Sequence, residues 1–220
     1  MNLQPQKWTK KTANEKILEI MNNPTTVFNK DFNIKMFREL IHQCDVNIKN
    51  KEGNNLLIYL LLYNNTKEYH LKQNEIYDLL NKGNLNQTNN QTRTVLFFLF
   101  LQNKTSNIGF SKQQIKTLWE KCSKLNQRLT FKNLVDFHKQ YLFINNQKEE
   151  VNFQEEMQFL LYDYQLEITK EMMHQFKNQN KLEIIEMIEK RNLFLKVSAH
   201  VDVLENELKH HQTIKKTMKV

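Results

Sequence analysis

A block that is apolar on nearly every side, VLFFLFL at residues 95–101, constrains this chain more than any other feature. Such a segment has no face to offer water, so it must lie between two neighbours. It closes residues 73–102, which read as an amphipathic helix, a stop, a polar hairpin-like finger and then the apolar helix. In the first of these helices Ile76, Leu79 and Leu80 share one face, with Asn74 placed to cap the start and Gly83 to end it. The finger, GNLNQTNNQTRT at 83–94, is turn chemistry around one inward-looking residue, Leu85. One such unit cannot bury both of its faces. It requires copies at its sides.

The copies are present at low fidelity. Residues 37–47 (FRELIHQCDVN) match 76–86 (IYDLLNKGNLN), with Cys44 in the place of Gly83. Residues 115–126 (IKTLWEKCSKLN) match again, with Cys122 there, so these three sites lie 39 residues apart twice over. Gly53-Asn54-Asn55-Leu56-Leu57 of the earlier finger aligns with Thr92-Arg93-Thr94-Val95-Leu96 of the later one. A weaker copy spans 155–167, and a clearer one spans 182–193 with Asn192 in the glycine place. Asparagine follows glycine in tolerance of a left-handed helix stop.

This pattern resembles the ankyrin repeat, whose unit is a finger (G-x-T-P-L-H), an inner helix, an outer helix ending LEIVKLLLEKG, and an A-D-V-N lead into the next finger. The matching pieces are Asp45-Val46-Asn47, Gly53 to Leu57, Lys82-Gly83-Asn84-Leu85-Asn86, and Leu182-Glu183-Ile184-Ile185-Glu186-Met187-Ile188. The resemblance implies an all-α, helix-pair solenoid of four to five degenerate ankyrin-like repeats with short polar fingers. On this reading residues 1–12 are a basic lead-in and 13–195 the array. Residues 196–212 are a C-terminal capping helix, and 213–220 a basic tail. Polar links at 64–73 and 103–112 lengthen the repeat beyond the family's usual size. Another helix-pair solenoid is the alternative architecture.

Composition sets the outer limits. Three Gly and two Pro in 220 residues favour helices over sandwiches or phosphate-binding loops. A mean hydropathy of −0.69 and a longest apolar run of about eight residues argue against a span of the ~20 residues a bilayer needs. The start, MNLQPQKWTKKT, has no apolar core of a signal peptide, and two cysteines at helix ends make no disulfide framework; a reducing, cytoplasmic setting is expected. The formal charge of +8 and pI ≈ 9.3 invite a nucleic-acid reading. Lysine is spread throughout among abundant Asn and Ile, which reads first as solubility.

Along the chain, helices are expected at 13–21, with Pro24 after it, and at 34–41 behind an Asn33 cap. Others follow at 56–63, at 111–122 from an S-x-x-Q capping box (Ser111, Gln114), and at 132–143 beyond a shortened third finger holding Gln127 and Arg128. Thr169 caps a further helix that turns at 178–180 into 182–191, and Ser198 opens the last one.

Reaction chemistry is sparse. His42 with Cys44, and His200 with His210 and His211, lack metal-ligand spacing. Cys44 or Cys122 could be paired with His138 or His174 as a nucleophile only by assumption. Glu149-Glu150 and Glu155-Glu156 read as solvated carboxylates, and neither GxGxxG nor GxxxxGK[ST] occurs. No catalytic residue, metal or cofactor is expected. The ankyrin resemblance implies instead a module that binds another protein through finger tips and the concave inner-helix face. Carried onto this chain, the contacts are Asn50, Lys51, Glu52 and Asn54 of one finger and Asn89, Asn90, Gln91 and Arg93 of the next. By analogy with divergent Asn/Lys-rich ankyrin proteins, such a module suits a host–microbe or inhibitor interface, in a host cytosol if secreted. The alternative is a basic helical protein that binds nucleic acid or a ribonucleoprotein.

Overall fold

With so few helix breakers, the described residues are mostly α-helical. The computed structural model describes residues 8–23, 34–63, 71–105, 109–142 and 157–217. Among them no β-strand forms, only two isolated antiparallel bridges, Lys49–Asn55 and Thr88–Thr94. The chain divides into two units, Met1–Asn146 and Gln147–Val220.

The first unit holds α1 (Lys10–Asn22), α2 (Ile34–Gln43), α3 (Leu56–Tyr63), α4 (Gln73–Lys82), α5 (Val95–Thr105), α6 (Lys112–Glu120) and α7 (Lys124–Leu142). Helix α5 packs on α3 and on α7, so the block from Val95 to Phe100 is buried all round, as its composition requires. Leu56 to Leu61 of α3 are buried in the same way. Fully burying each such side chain is worth ~1.5–3 kcal/mol, and this row of helices is the core of the unit. The amphipathic helices α2, α4 and α6 form a second row. Arg38 pairs with Glu75 at 3.6 Å between α2 and α4, and Gln73 Nε2 donates to Gln114 Oε1 at 3.3 Å between α4 and α6. Ser111 and Gln114 form the expected capping box of α6, and Thr9 with Thr12 builds another that starts α1 three residues before the expected boundary.

Several local expectations need correction. Helix α4 begins at Gln73, one residue before the expected Asn74 cap, because Glu75 reaches back to accept from Lys72 N at 2.7 Å. Gly83 ends α4 at φ −85, outside the left-handed region. What it supplies is room: a Cβ there would run into Leu57 Cδ1 and lie 3.2 Å from Val46 Cγ2. The third finger at Gln127 and Arg128 is absent, since α7 is continuous from Lys124. The Gln127 amide is instead buried and donates to the carbonyls of Trp119 and Cys122 at 2.9 and 3.3 Å, closing the end of α6. The Pro24 stop, the Asn33 cap, most of the link at 64–73 and the charged stretch 145–152 lie outside the described residues.

In the second unit a π-helical turn (Phe159–Asp163) leads through an irregular stretch, with Gln165 at φ 49, to α8 (Lys170–Asn178) and α9 (Leu182–Thr217). Thr169 Oγ1 accepts from Met172 N at 3.3 Å and caps α8 as expected. Asn180 makes the turn into α9 at φ 54. Helix α9 packs on α8 and on the π turn through Ile184, Ile185 and Ile188. Arg191, itself buried, donates from Nε to Leu161 O at 3.2 Å. The helix does not stop at Asn192 or restart at Ser198. No glycine or proline interrupts 182–217, and Asn192 stays helical, so one 36-residue helix replaces the two expected.

Candidate interaction surface

The two fingers of the first unit, 45–55 and 84–94, are built alike bond for bond. Asn50 N donates to Asn54 O at 2.9 Å and Asn89 N to Arg93 O at 3.0 Å. Asn50 Oδ1 accepts from the amides of Glu52 and Asn54, and Asn89 Oδ1 from those of Gln91 and Arg93, all at 2.9–3.1 Å. Asn55 Oδ1 caps α3 by accepting from Ile58 N at 2.9 Å, and Thr94 Oγ1 caps α5 from Phe97 N at 3.1 Å. The lead-ins repeat as well: Asn47 Oδ1 accepts from Asn84 N at 2.7 Å, and Asn86 Oδ1 from Ser123 N at 2.8 Å. Each pair of equivalent residues keeps the spacing read in the sequence.

The fingers also hold each other. Asn90 N donates to Glu52 O at 3.1 Å, Asn90 Nδ2 to Lys51 O at 3.0 Å, and Asn89 Nδ2 to Asn54 Oδ1 at 3.0 Å. Gly53 sits under this contact at φ +76, where an added Cβ would lie 2.7 Å from Asn90 N. Its equivalent, Thr92, takes the same left-handed backbone at φ 58. On the other side the first finger leans on α1, with Asn50 Nδ2 donating to Met21 O at 3.2 Å and Lys51 N to Asn22 Oδ1 at 3.0 Å.

This wiring sorts the expected contact residues. Asn54 and Asn89, 4% and 9% exposed, are spent inside the stack, and Asn50 is half-buried in the same role. Lys51, Glu52, Asn90 and Gln91 are exposed at the tips, although the Asn90 amide is bound to the neighbouring finger. Arg93 is half-buried, its guanidinium 5.5 Å from the centre of the Phe97 ring. Polar tips on a hydrogen-bonded frame form a surface whose shape is set before anything binds it.

Beyond the second finger the stack stops, and a cleft of ≈ 350 Å³ opens, lined by Gln91, Thr92, Arg93, Lys132, Asp136 and Phe137 among others. Phe137 meets Phe97 edge-on, with ring centres 5.6 Å apart. The α7 residues of this cleft escaped the sequence reading. The signal for α7 itself is a stripe at helical spacing, Gln127, Thr130, Phe131, Leu134 and Val135, all buried, which leaves the cleft residues Lys132, Asn133, Asp136 and Phe137 half-buried beside it. The stripe opens with polar residues, so the apolar period starts too late to mark the beginning of α7.

The thiols fit small-residue positions at helix ends. Burial pushes Cys44 and Cys122 up to about 12, so both stay protonated at neutral pH. Among the described residues no three His, Cys, Asp or Glu side chains gather as a metal site, and no helix is long and apolar enough to cross a membrane. No family model matches the chain, nor does any curated protein or solved structure.

Proposed function

We propose that the first unit is an ankyrin-like helix-pair solenoid that works as a protein-binding module. The observation that carries the reading is the division of labour in the fingers. Asn50, Asn54 and Asn89 hold the frame, with Glu52 accepting from Asn54 Nδ2 at 2.9 Å, and leave Lys51 and Gln91 exposed on an edge beside the Arg93 cleft. Loops held on a rigid scaffold are where binding residues concentrate. Polar and charged tips favour a partner bound by hydrogen bonds and bridging water, with Arg93 and Phe137 as the more apolar anchor. Residues 155–167 and 182–193 stand outside the proposal, because one holds the π turn and the other runs on as a single helix.

The test is a pull-down with the tagged chain at about 150 mM salt after nuclease treatment, where exposed charge is largely screened. The expected result is a stoichiometric protein partner lost on Lys51→Ser/Gln91→Ser, a variant that spares every bracing asparagine and the Glu52 carboxylate that accepts from Asn54 Nδ2 at 2.9 Å. Material recovered only when the nuclease is left out, with no protein partner after treatment, would overturn the proposal and support a basic surface for nucleic acid, whose binding collapses with salt.

A further inference from the structure

We infer that the outer part of α9 is one strand of a parallel coiled coil formed with a second copy of this chain. The inner part of the helix is anchored, since Ile184, Ile185, Ile188 and Arg191 are buried within the second unit. Past Arg191 the character changes. From Asn192 to Lys209 every residue but the half-buried Ser198 is exposed, including Phe194 at 57% and Leu208 at 61%. A helix in water draws most of its stability from packing an apolar face, and among the described residues only the Tyr162 ring, edge-on to Phe194 with centres 6.0 Å apart, lies against the start of this one.

The face has a specific period. Phe194, Val197, Val201, Leu204 and Leu208 follow one another at steps of three, four, three and four residues, and all five are exposed. That alternation is the 3.5-residue repeat of a left-handed coiled coil, and it admits one register. Phe194, Val201 and Leu208 take a positions, and Val197 and Leu204 take d positions. A β-branched residue at a followed by Leu at d, here Val201 and Leu204, favours two parallel strands.

The flanking positions choose the partner. In a parallel pair of identical helices the g position of one strand faces the next e position of the other. Leu193 then faces Ser198, and His200 faces Glu205, so no like charges meet along the exposed seam. Self-pairing in this register thus sets one imidazole opposite one carboxylate, which Lys209 also approaches at 3.8 Å on the same helix. This inference rests on the second unit alone and is independent of the finger surface.

The test is sedimentation equilibrium of the full chain over a dilution series from about 100 μM, where a short coiled coil is populated by mass action. Twice the 26.7 kDa chain mass is expected at the top of the series, falling on dilution. Val201→Asp/Leu204→Asp should sediment at the single-chain mass, with unchanged fluorescence from Trp8 and Trp119 of the first unit. Glu205→Lys should weaken the pair, and His200→Glu/Glu205→Lys should restore it. Val201→Cys should form an interchain disulfide on mild oxidation, because a positions meet their own counterparts in this register. A single-chain mass throughout would overturn the inference, as would a dimer indifferent to Val201→Asp/Leu204→Asp. So would a dimer in which Val201→Cys fails to cross-link.

Discussion

Replacing Asn89 by Ala should be among the most damaging single changes in the first unit, although the residue lies in a loop. Its side chain accepts from Gln91 N and Arg93 N and donates to Asn54 Oδ1, each at 3.0 Å. The Asn54 amide is only 4% exposed, so its oxygen would be left without a partner and with little water; a buried orphan of this kind costs ~1–3 kcal/mol. The two backbone amides, nearer to solvent, add ~0.5–1.5 kcal/mol between them after rehydration. The expected loss is therefore ~2–4 kcal/mol, a large share of a typical domain stability of about 5–15 kcal/mol. Asn50→Ala removes the equivalent two acceptor bonds and the donor bond to Met21 O, but at a half-buried site where water can replace them, and should cost less. Both tryptophans lie in the first unit, so urea unfolding followed by tryptophan fluorescence reads its stability directly. A double-mutant cycle with Asn54→Ala should return a coupling of about 1 kcal/mol for the Asn89–Asn54 contact. A loss below about 0.5 kcal/mol for Asn89→Ala, within the range of ordinary surface changes, would refute the view that the fingers are braced by their asparagines.

Other predictions concern the same frame. Thr92 holds a β-branched side chain at φ 58 but donates its hydroxyl to Gln91 O at 2.6 Å, so Thr92→Asn relieves strain, loses that bond and should shift the stability of the first unit by less than about 0.5 kcal/mol in the same urea assay. Its equivalent Gly53 has positive φ and Asn90 N close by, so Gly53→Ala should destabilise by ~2 kcal/mol or more. Gly83→Ala should cost less, ~1 kcal/mol, because its φ suits any residue and the obstructing Leu57 methyl can turn aside. Burial holds the Cys122 thiol at about 12 against an ordinary value of 9.0, and the neutral form is the one favoured in the folded state. Its stabilising contribution is therefore complete below about pH 9 and fades as pH climbs from there towards 12. Alkaline unfolding should accordingly be blunted in Cys122→Ala, and maleimide labelling of the native chain at neutral pH should be slower than that of the unfolded chain by up to roughly a thousandfold.

The sequence discloses some of this and hides the rest, for physical reasons. Helices α3 and α5 are plain because a run such as LLIYLLL has nowhere to go but a core. The helix starts at Ser111 and Thr169 are plain because capping is a local bond. Finger equivalence was readable too, since Asn50 with Asn89 and Gly53 with Thr92 stand at one spacing. What could not be read was which asparagines face outward. Asn54 and Asn90 are the same residue type in the same kind of turn, and only the stacking of one finger on the next buries the first and exposes the second. Gly83 misled for a related reason: a glycine at a helix end has two uses, φ freedom and room for a neighbour, and the neighbour is distant in sequence. At Asn192 a tolerated stop residue yielded to the helical preference of everything around it.

The end of the finger stack explains why the cleft lies where it does. A second finger followed by a third would have its carbonyls at Asn90 and Gln91 covered, as those of Lys51 and Glu52 are covered by Asn90. Instead α7 begins early and supplies substitutes from a helix face. Asn133 Oδ1 accepts from Thr94 N at 3.3 Å, and the Thr130 and Thr94 hydroxyls share a hydrogen at 2.6 Å. Thr92 turns its own hydroxyl onto Gln91 O at 2.6 Å. The base of the finger is thereby satisfied and buried, while its tip is satisfied locally and left open. A helix is straight where a finger would curve over, so the space between them stays empty at the tip and closed at the base. Removing the base contacts should consequently unfold the second finger, whereas filling the tip should not. Thr130→Val, which keeps the volume and deletes the hydroxyl, is expected to cost ~1–2 kcal/mol by orphaning Thr94. Gln91→Trp, which places a large side chain over the open cleft, should leave the urea midpoint within about 0.5 kcal/mol of the parent while blocking whatever partner the tip engages. Equal losses of stability from the two variants would show that the tip and the base are one structural element, and the separation of frame from recognition surface would fall with it.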